Sequence, residues 1–247
     1  MPYGIPVTLV AGTHAKVSVA FDYADESDPG PYPLGSDTKI EGGSDAHAIV
    51  IDKDACKLYE TFATAHSTSG WSAGSGAIWD LNANVLRPAG WTSADAAGLP
   101  IFPGLLRLNE VQAGFVDHAI RFTAVQTDRS YLWPARHQAG AALNANLPPM
   151  GARFRLKASY SISGFRADTQ AILRAMKTYG LMLADNGSNW FFQGTAENGW
   201  PTALLDELKT VPASAFEAVD ESSLMADPNS AAVYVVRTWW RCRCVAR

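Results

Sequence analysis

Residues 44–62 leave few folds open to this chain. From Ser44 to Phe62, two runs that place an apolar residue at every second position flank the polar segment Asp52-Lys53-Asp54-Ala55. That period of two reads as a β-hairpin. A two-residue loop at Lys53-Asp54 pairs Ile51 with Cys56, Ile49 with Leu58, His47 with Glu60 and Asp45 with Phe62. These eight side chains then share one face. The face is apolar beside the turn and ionisable at its open end, where Asp45, His47 and Glu60 collect. Such a cluster is costly to bury unless it is paired or opens into a cleft. Two readings stand: a His47–Glu60 pair that fixes strand register, or a functional site.

The rest of the chain repeats this short-period pattern. Residues 5–23 alternate well enough for one or two strands, and Tyr23 to Gly35 is an acidic, Pro- and Gly-rich loop. Ala77–Leu81, Phe115–Ala124, Arg153–Ala158 and Leu181–Ala184 read as strands, and Ala232–Val236 as a last one. Asp185-Asn186-Gly187-Ser188 reads as a tight turn from which Trp190 to Gln193 returns as a hairpin. One long helix is predicted over about 168–179, with Asp168 as N-cap, an apolar stripe of Ile172, Leu173, Met176 and Tyr179, and Gly180 at C′. Leu105–Gln112 and Thr202–Lys209 are predicted short helices. Neither an internal repeat nor a linker divides residues 1–247. The expected fold is therefore mainly β, a single-domain β-sandwich or jelly roll carrying one clear helix and a few short ones. The tail 227–247 is odd in composition and reads as a poorly ordered extension.

Composition narrows the partners. A net charge of −4 with no basic stripe argues against nucleic acid and anionic membrane. No apolar run approaches the ~20 residues that a membrane helix needs. Three cysteines, Cys56, Cys242 and Cys244, do not make a disulfide framework, and their pairing stays open. No signal peptide is legible at the start of the chain. Several of the eight tryptophans sit in turn-like surroundings, among them Trp71, Trp91, Trp190 and Trp200. A loop tryptophan on a β-scaffold can form an apolar platform with a polar edge on which a sugar ring stacks, although any single one is more readily a packing residue.

Several segments resemble a family of secreted β-rich proteins from soil bacteria, actinobacteria in particular. They are Gly43-Ser44-Asp45-Ala46-His47, Leu58-Tyr59-Glu60, Gly98 to Leu105, Val116-Asp117-His118-Ala119, Trp133-Pro134-Ala135-Arg136 and the Tyr179-Gly180 helix end. The likeness spans roughly residues 35–220 and carries no assigned activity. It implies an exported, cell-wall- or polysaccharide-facing protein, hence a secreted location with any signal peptide outside the sequence given.

On these residues the expected chemistry is glycoside hydrolysis of a β-linked polysaccharide. That reaction needs a carboxylic acid to protonate the leaving oxygen and a second carboxylate as nucleophile or base. Glu60 is the candidate acid, because an apolar face raises its pKa, and Asp45 is its partner. Asp80 and Asp95 stand in reserve. His47 orients the acid, while His118, Arg136, Trp71, Trp79 and Trp91 are the substrate-binding candidates. No cofactor is needed on this reading. One alternative is a divalent metal held by Asp45, His47 and His118, serving a polysaccharide lyase or an oxidative enzyme. Another is a non-catalytic carbohydrate-binding protein. A serine hydrolase is disfavoured, since no Gly-x-Ser-x-Gly pattern occurs in a strand–turn–helix context.

Overall fold

The computed structural model describes residues 4–234. The chain is mainly β. In order its elements are β1 (Val7–Val10), β2 (Val19–Phe21), β3 (Ala48–Asp52), β4 (Lys57–Phe62), β5 (Ala65–Ser67), β6 (Gly70–Ala73), β7 (Ser75–Asp80), α1 (Leu108–Ala113), β8 (Ile120–Ala124), β9 (Arg153–Leu156), α2 (Ala167–Thr178), β10 (Leu181–Asn186), β11 (Phe191–Phe192), α3 (Thr202–Leu208) and β12 (Phe216–Val219). The strands form three mixed sheets, ordered β1-β3-β4-β7, β11-β8-β10-β9-β12 and β2-β6-β5. The β-rich class is thus as expected, but the sheets are mixed, unlike the antiparallel sheets of a jelly roll. The pairs β1–β3, β2–β6 and β8–β10 run parallel, and parallel neighbours require long crossover connections instead of hairpins.

The central hairpin forms, with its register moved by two residues. Asp52 faces Lys57, Ile51 faces Leu58 and Ile49 faces Glu60. The loop is therefore Lys53–Cys56, not Lys53-Asp54, and Cys56 takes the left-handed conformation at φ +50°. Asp52 fixes the longer turn, its Oδ1 accepting from the N–H groups of Asp54 and Ala55 at 3.2 and 3.0 Å. An even shift keeps every side chain on its predicted face. Ile49, Leu58 and Trp79 join Ile101 and Leu105 in one buried cluster. On the reverse face, Val50 and Tyr59 pack with Val19, Ala73 and Tyr32, so the third sheet covers this side.

The largest core lies under the second sheet. Ile172, Leu173 and Met176 of α2 are fully buried there against Ile120, Phe122, Leu181 and Leu183. Burying each such side chain stabilises the fold by about 1.5–3 kcal/mol. The helix begins close to its predicted start, with Asp168 in the first turn bonded to Arg166 instead of acting as N-cap. It ends as predicted, with Gly180 at φ +76°, where an added Cβ would lie 2.6 Å from the Phe154 carbonyl oxygen. The two short helices also form, as α1 and α3.

Two expectations are corrected here. The segment Phe191–Phe192 pairs with β8 and not with β10, so the Asn-Gly hairpin does not form. The segment 227–234 is anchored rather than loose: Arg136 Nη1 donates to the Pro228 carbonyl at 2.8 Å, and Trp133 Nε1 to that of Ser230 at 2.9 Å. Val233 makes a single bridge to Met225 and its neighbours Ala232 and Tyr234 are not in a strand, while Val235 and Val236, and both Cys242 and Cys244, lie outside the described residues.

Candidate functional site

The structure separates the residues that the hairpin pattern had gathered. Glu60 is completely buried, and it opposes Ile49, not His47. Its Oε1 accepts from the Phe102 N–H at 2.8 Å, both oxygens accept from the Ile101 N–H at 3.0 Å, and Oε2 accepts from Trp79 Nε1 at 3.1 Å. It thereby caps the short 3-10 turn Phe102–Gly104. Burial pushes its carboxyl up to about 7, the Phe102 and Ile101 N–H groups hold it down, and the Asp95 charge adds to the rise. Glu60 is the titratable group expected, but it has no exposure to solvent.

Asp45 is exposed and accepts from Ser44 Oγ at 3.2 Å, on the loop before β3. His47 is buried and bonds Glu41 through Nδ1 at 2.5 Å and the Ala94 carbonyl through Nε2 at 3.1 Å. Burial alone would lower the His47 pKa; the bond and charge of Glu41 prevail and raise it. His118 pairs with Glu110 at 3.1 Å. The proposed metal set of Asp45, His47 and His118 is therefore not assembled. Among the described residues no group of three or more His, Cys, Asp or Glu side chains is arranged to hold a metal ion.

The aromatic and basic candidates are also spoken for. Trp79 is a core residue. Trp91 lies 5.4 Å from the Arg87 guanidinium, which Trp79 flanks at 5.6 Å. Trp71 packs against His66, the ring centroids 4.6 Å apart and the planes tilted by 31°. Arg136 is buried and donates Nε to the Arg87 carbonyl at 2.7 Å. Asp80 is on the surface, bonded to the N–H of Asn82 at 2.9 Å. Of the reserves, Asp95 alone reaches a site.

That site lies where the loop 87–100 brings the first sheet against the second. Arg121 of β8 grips Asp95 with two bonds, Nε to Oδ2 at 3.0 Å and Nη2 to Oδ1 at 2.7 Å. Its Nη1 donates to Gln193 Oε1 at 2.7 Å, and Asp185 Oδ2 lies 3.8 Å from Nη2. Asp95 is fully enclosed, whereas a quarter of the Asp185 side chain is exposed. Burial first, then the charge of Asp95, push the Asp185 carboxyl up to about 7, against the pull of Arg121. Burial would lower the Arg121 pKa, but Asp95, Asp185 and Glu41 outweigh it and raise it further.

A bulge puts Asp185 there. In the β8–β10 ladder Leu181 and Leu183 pair with Ile120 and Phe122, facing the core below. Simple alternation would send residue 185 the same way. The ladder shifts between Leu183 and Asp185, so that Asp185 pairs with Thr123 and joins the Arg121 face. Sequence alternation missed this, because an Asp-Asn-Gly run ordinarily signals a turn. The available signal was Arg121 itself, a charge in a strand whose neighbours Ile120, Phe122 and Ala124 are apolar.

Asp185 and the segment Thr92–Ala96 wall a cleft of about 290 Å³. Its rim carries Tyr23, Phe62, Glu26 and His137. Glu26 Oε2 accepts from the Thr92 N–H at 2.9 Å and lies 3.9 Å from His137 Nε2. Asp185, its carboxyl raised to about 7, and Glu26, hydrogen-bonded and partly exposed, line the same cleft.

Fold and site together define a mainly β chain with a buried guanidinium–carboxylate network that opens into a small cleft. Comparison of the chain with family models, with curated proteins and with solved structures finds no match.

Proposed function

We propose that this cleft hydrolyses a glycosidic bond in a neutral β-linked polysaccharide, with Asp185 as the proton donor. The observation that carries the reading is the Asp185 carboxyl, partly exposed in the cleft wall and pushed up to about 7 by burial and by Asp95. A glycosidic leaving oxygen needs such a proton. Glu26, on the rim beside His137, is the second carboxylate that would activate water or attack the sugar. Arg121 and Asp95 are positioning residues: their two-point pairing holds in place the Asp95 carboxylate, whose charge adds to burial in raising the Asp185 carboxyl against the pull of Arg121. The motif resemblance to secreted soil-bacterial proteins supports an exported enzyme acting on polysaccharide outside the cell. In this proposal the acid role passes from Glu60 to Asp185.

The test is reducing-sugar release from β-glucan, xylan and mannan, with and without EDTA. Release that ignores EDTA and falls by about 10²–10⁴ in Asp185→Asn, with the variant's fold checked by circular dichroism, is the expected result. Release that EDTA abolishes would replace the two-carboxylate mechanism with a metal-dependent one. Glycan binding without release would make the chain a carbohydrate-binding protein whose Arg121–Asp95 network is structural.

A further inference from the structure

A second cavity, of about 660 Å³, opens on the other side of the second sheet. Phe122 lines it, while Arg121, the next residue in β8, points to the cleft network; adjacent strand residues face opposite ways. Its volume lies within the range of small-ligand pockets. The wall is aromatic. Trp190 stacks on Phe122 at 5.1 Å and 15°, and Phe154 meets both rings edge-on at 5.8 and 5.3 Å. Trp190 is held at φ +54°, a conformation unfavourable for any residue but glycine, by its N–H bond to the Thr123 carbonyl at 3.1 Å and by that stacking.

The rim carries three carboxamides, Gln126, Asn146 and Asn189. Asn189 Oδ1 is used by the Val125 N–H at 2.9 Å, which fixes the side chain. Its NH2 group, and the amides of Gln126 and Asn146, make no side-chain hydrogen bond among the described residues. The overhanging loop is tied down: the Asp128 N–H donates to the Pro148 carbonyl at 3.0 Å and the Asn144 N–H to Asp128 Oδ1 at 2.5 Å. Among the described residues, no charged side chain lines the cavity.

We infer that this cavity is a binding site for an uncharged saccharide residue. A charged ligand would lose its hydration there without gaining a partner. A sugar ring offers apolar C–H groups to the cavity's apolar lining, and hydroxyls that both donate and accept, matching the carboxamides. The choice of a sugar over other uncharged rings rests on the carbohydrate reading proposed for the cleft; the cavity itself does not.

Calorimetric and tryptophan-fluorescence titrations test the inference in Asp185→Asn, which removes turnover as a complication. The probes are cellotetraose, xylotetraose and mannotetraose, with trigalacturonate as the anionic control and indole as the apolar one. Saturable binding of a neutral tetrasaccharide is expected. It should be weakened about tenfold by Gln126→Ala combined with Asn146→Ala, and lost when the mouth is filled by Ala145→Phe on the exposed loop. The inference is overturned if no tetrasaccharide saturates, if trigalacturonate binds equally well, if indole alone binds, or if Ala145→Phe leaves binding intact. A wild-type protein that binds as expected but releases no sugar defeats the hydrolase proposal and leaves this one standing.

Discussion

Glu60→Gln should change how stability depends on pH, and leave turnover largely alone. The Glu60 carboxyl moves from an ordinary value of 4.5 to about 7 on folding. Between those values the folded protein holds a proton that the unfolded chain has released, so unfolding free energy falls as pH rises. At about 1.4 kcal/mol per pKa unit, the contribution is about 3 kcal/mol. It is fully present below 4.5 and is lost as pH rises through about 7. Glutamine cannot titrate. The stability of wild type minus that of Glu60→Gln should therefore decline by about 3 kcal/mol across this window. Taking the difference cancels groups common to both proteins, among them His47, whose raised pKa acts in the same direction. Urea unfolding followed by far-ultraviolet circular dichroism, repeated from about pH 4 to about pH 8, gives the curve. The mean slope is the evidence sought, since glutamine also turns an NH2 toward the Ile101 or Trp79 N–H and so shifts the curve by a constant. A difference that is flat with pH would refute the assignment of a proton to Glu60. A loss of sugar release as large as the ~10² expected for a missing general acid would refute its structural role.

Other variants probe the network and the frame. Arg121→Met should destabilise the protein by about 3–5 kcal/mol in urea unfolding, because Asp95 has no exposure and loses both of its guanidinium bonds. Glu41→Gln should lower the His47 pKa in an NMR titration, since the Glu41 bond and charge are what raise it; an unchanged value would mean that another group holds the proton. Gly180→Ala should cost about 1–3 kcal/mol, as the residue sits at φ +76° with the Phe154 carbonyl in the path of a Cβ; an unchanged melting temperature would contradict that geometry.

Periodicity carried much of the architecture. The helix over 167–178, the short helices α1 and α3, and the faces of β3 and β4 all follow from where apolar residues recur and where Gly180 interrupts them. The buried, raised Glu60 was also legible, as a carboxylate amid Ile49, Ile51 and Leu58 on one strand face. Its partners were not, because a two-residue change of register preserves the faces and replaces the neighbour opposite. Glu41 therefore took His47, while the Ile101 and Phe102 N–H groups took Glu60. The cleft was beyond local pattern altogether. Asp95 belongs to an irregular loop, Arg121 to a strand, and Asp185 to a run that reads as a turn. Local sequence determines which residues are apolar, which strands and helices can form, and which carboxylates a fold must accommodate. Only long-range packing decides which of them meet: the parallel pairing of β8 with β10 and the bulge before Asp185 bring charges 64 residues apart to 3.8 Å, and no period within either strand encodes that contact.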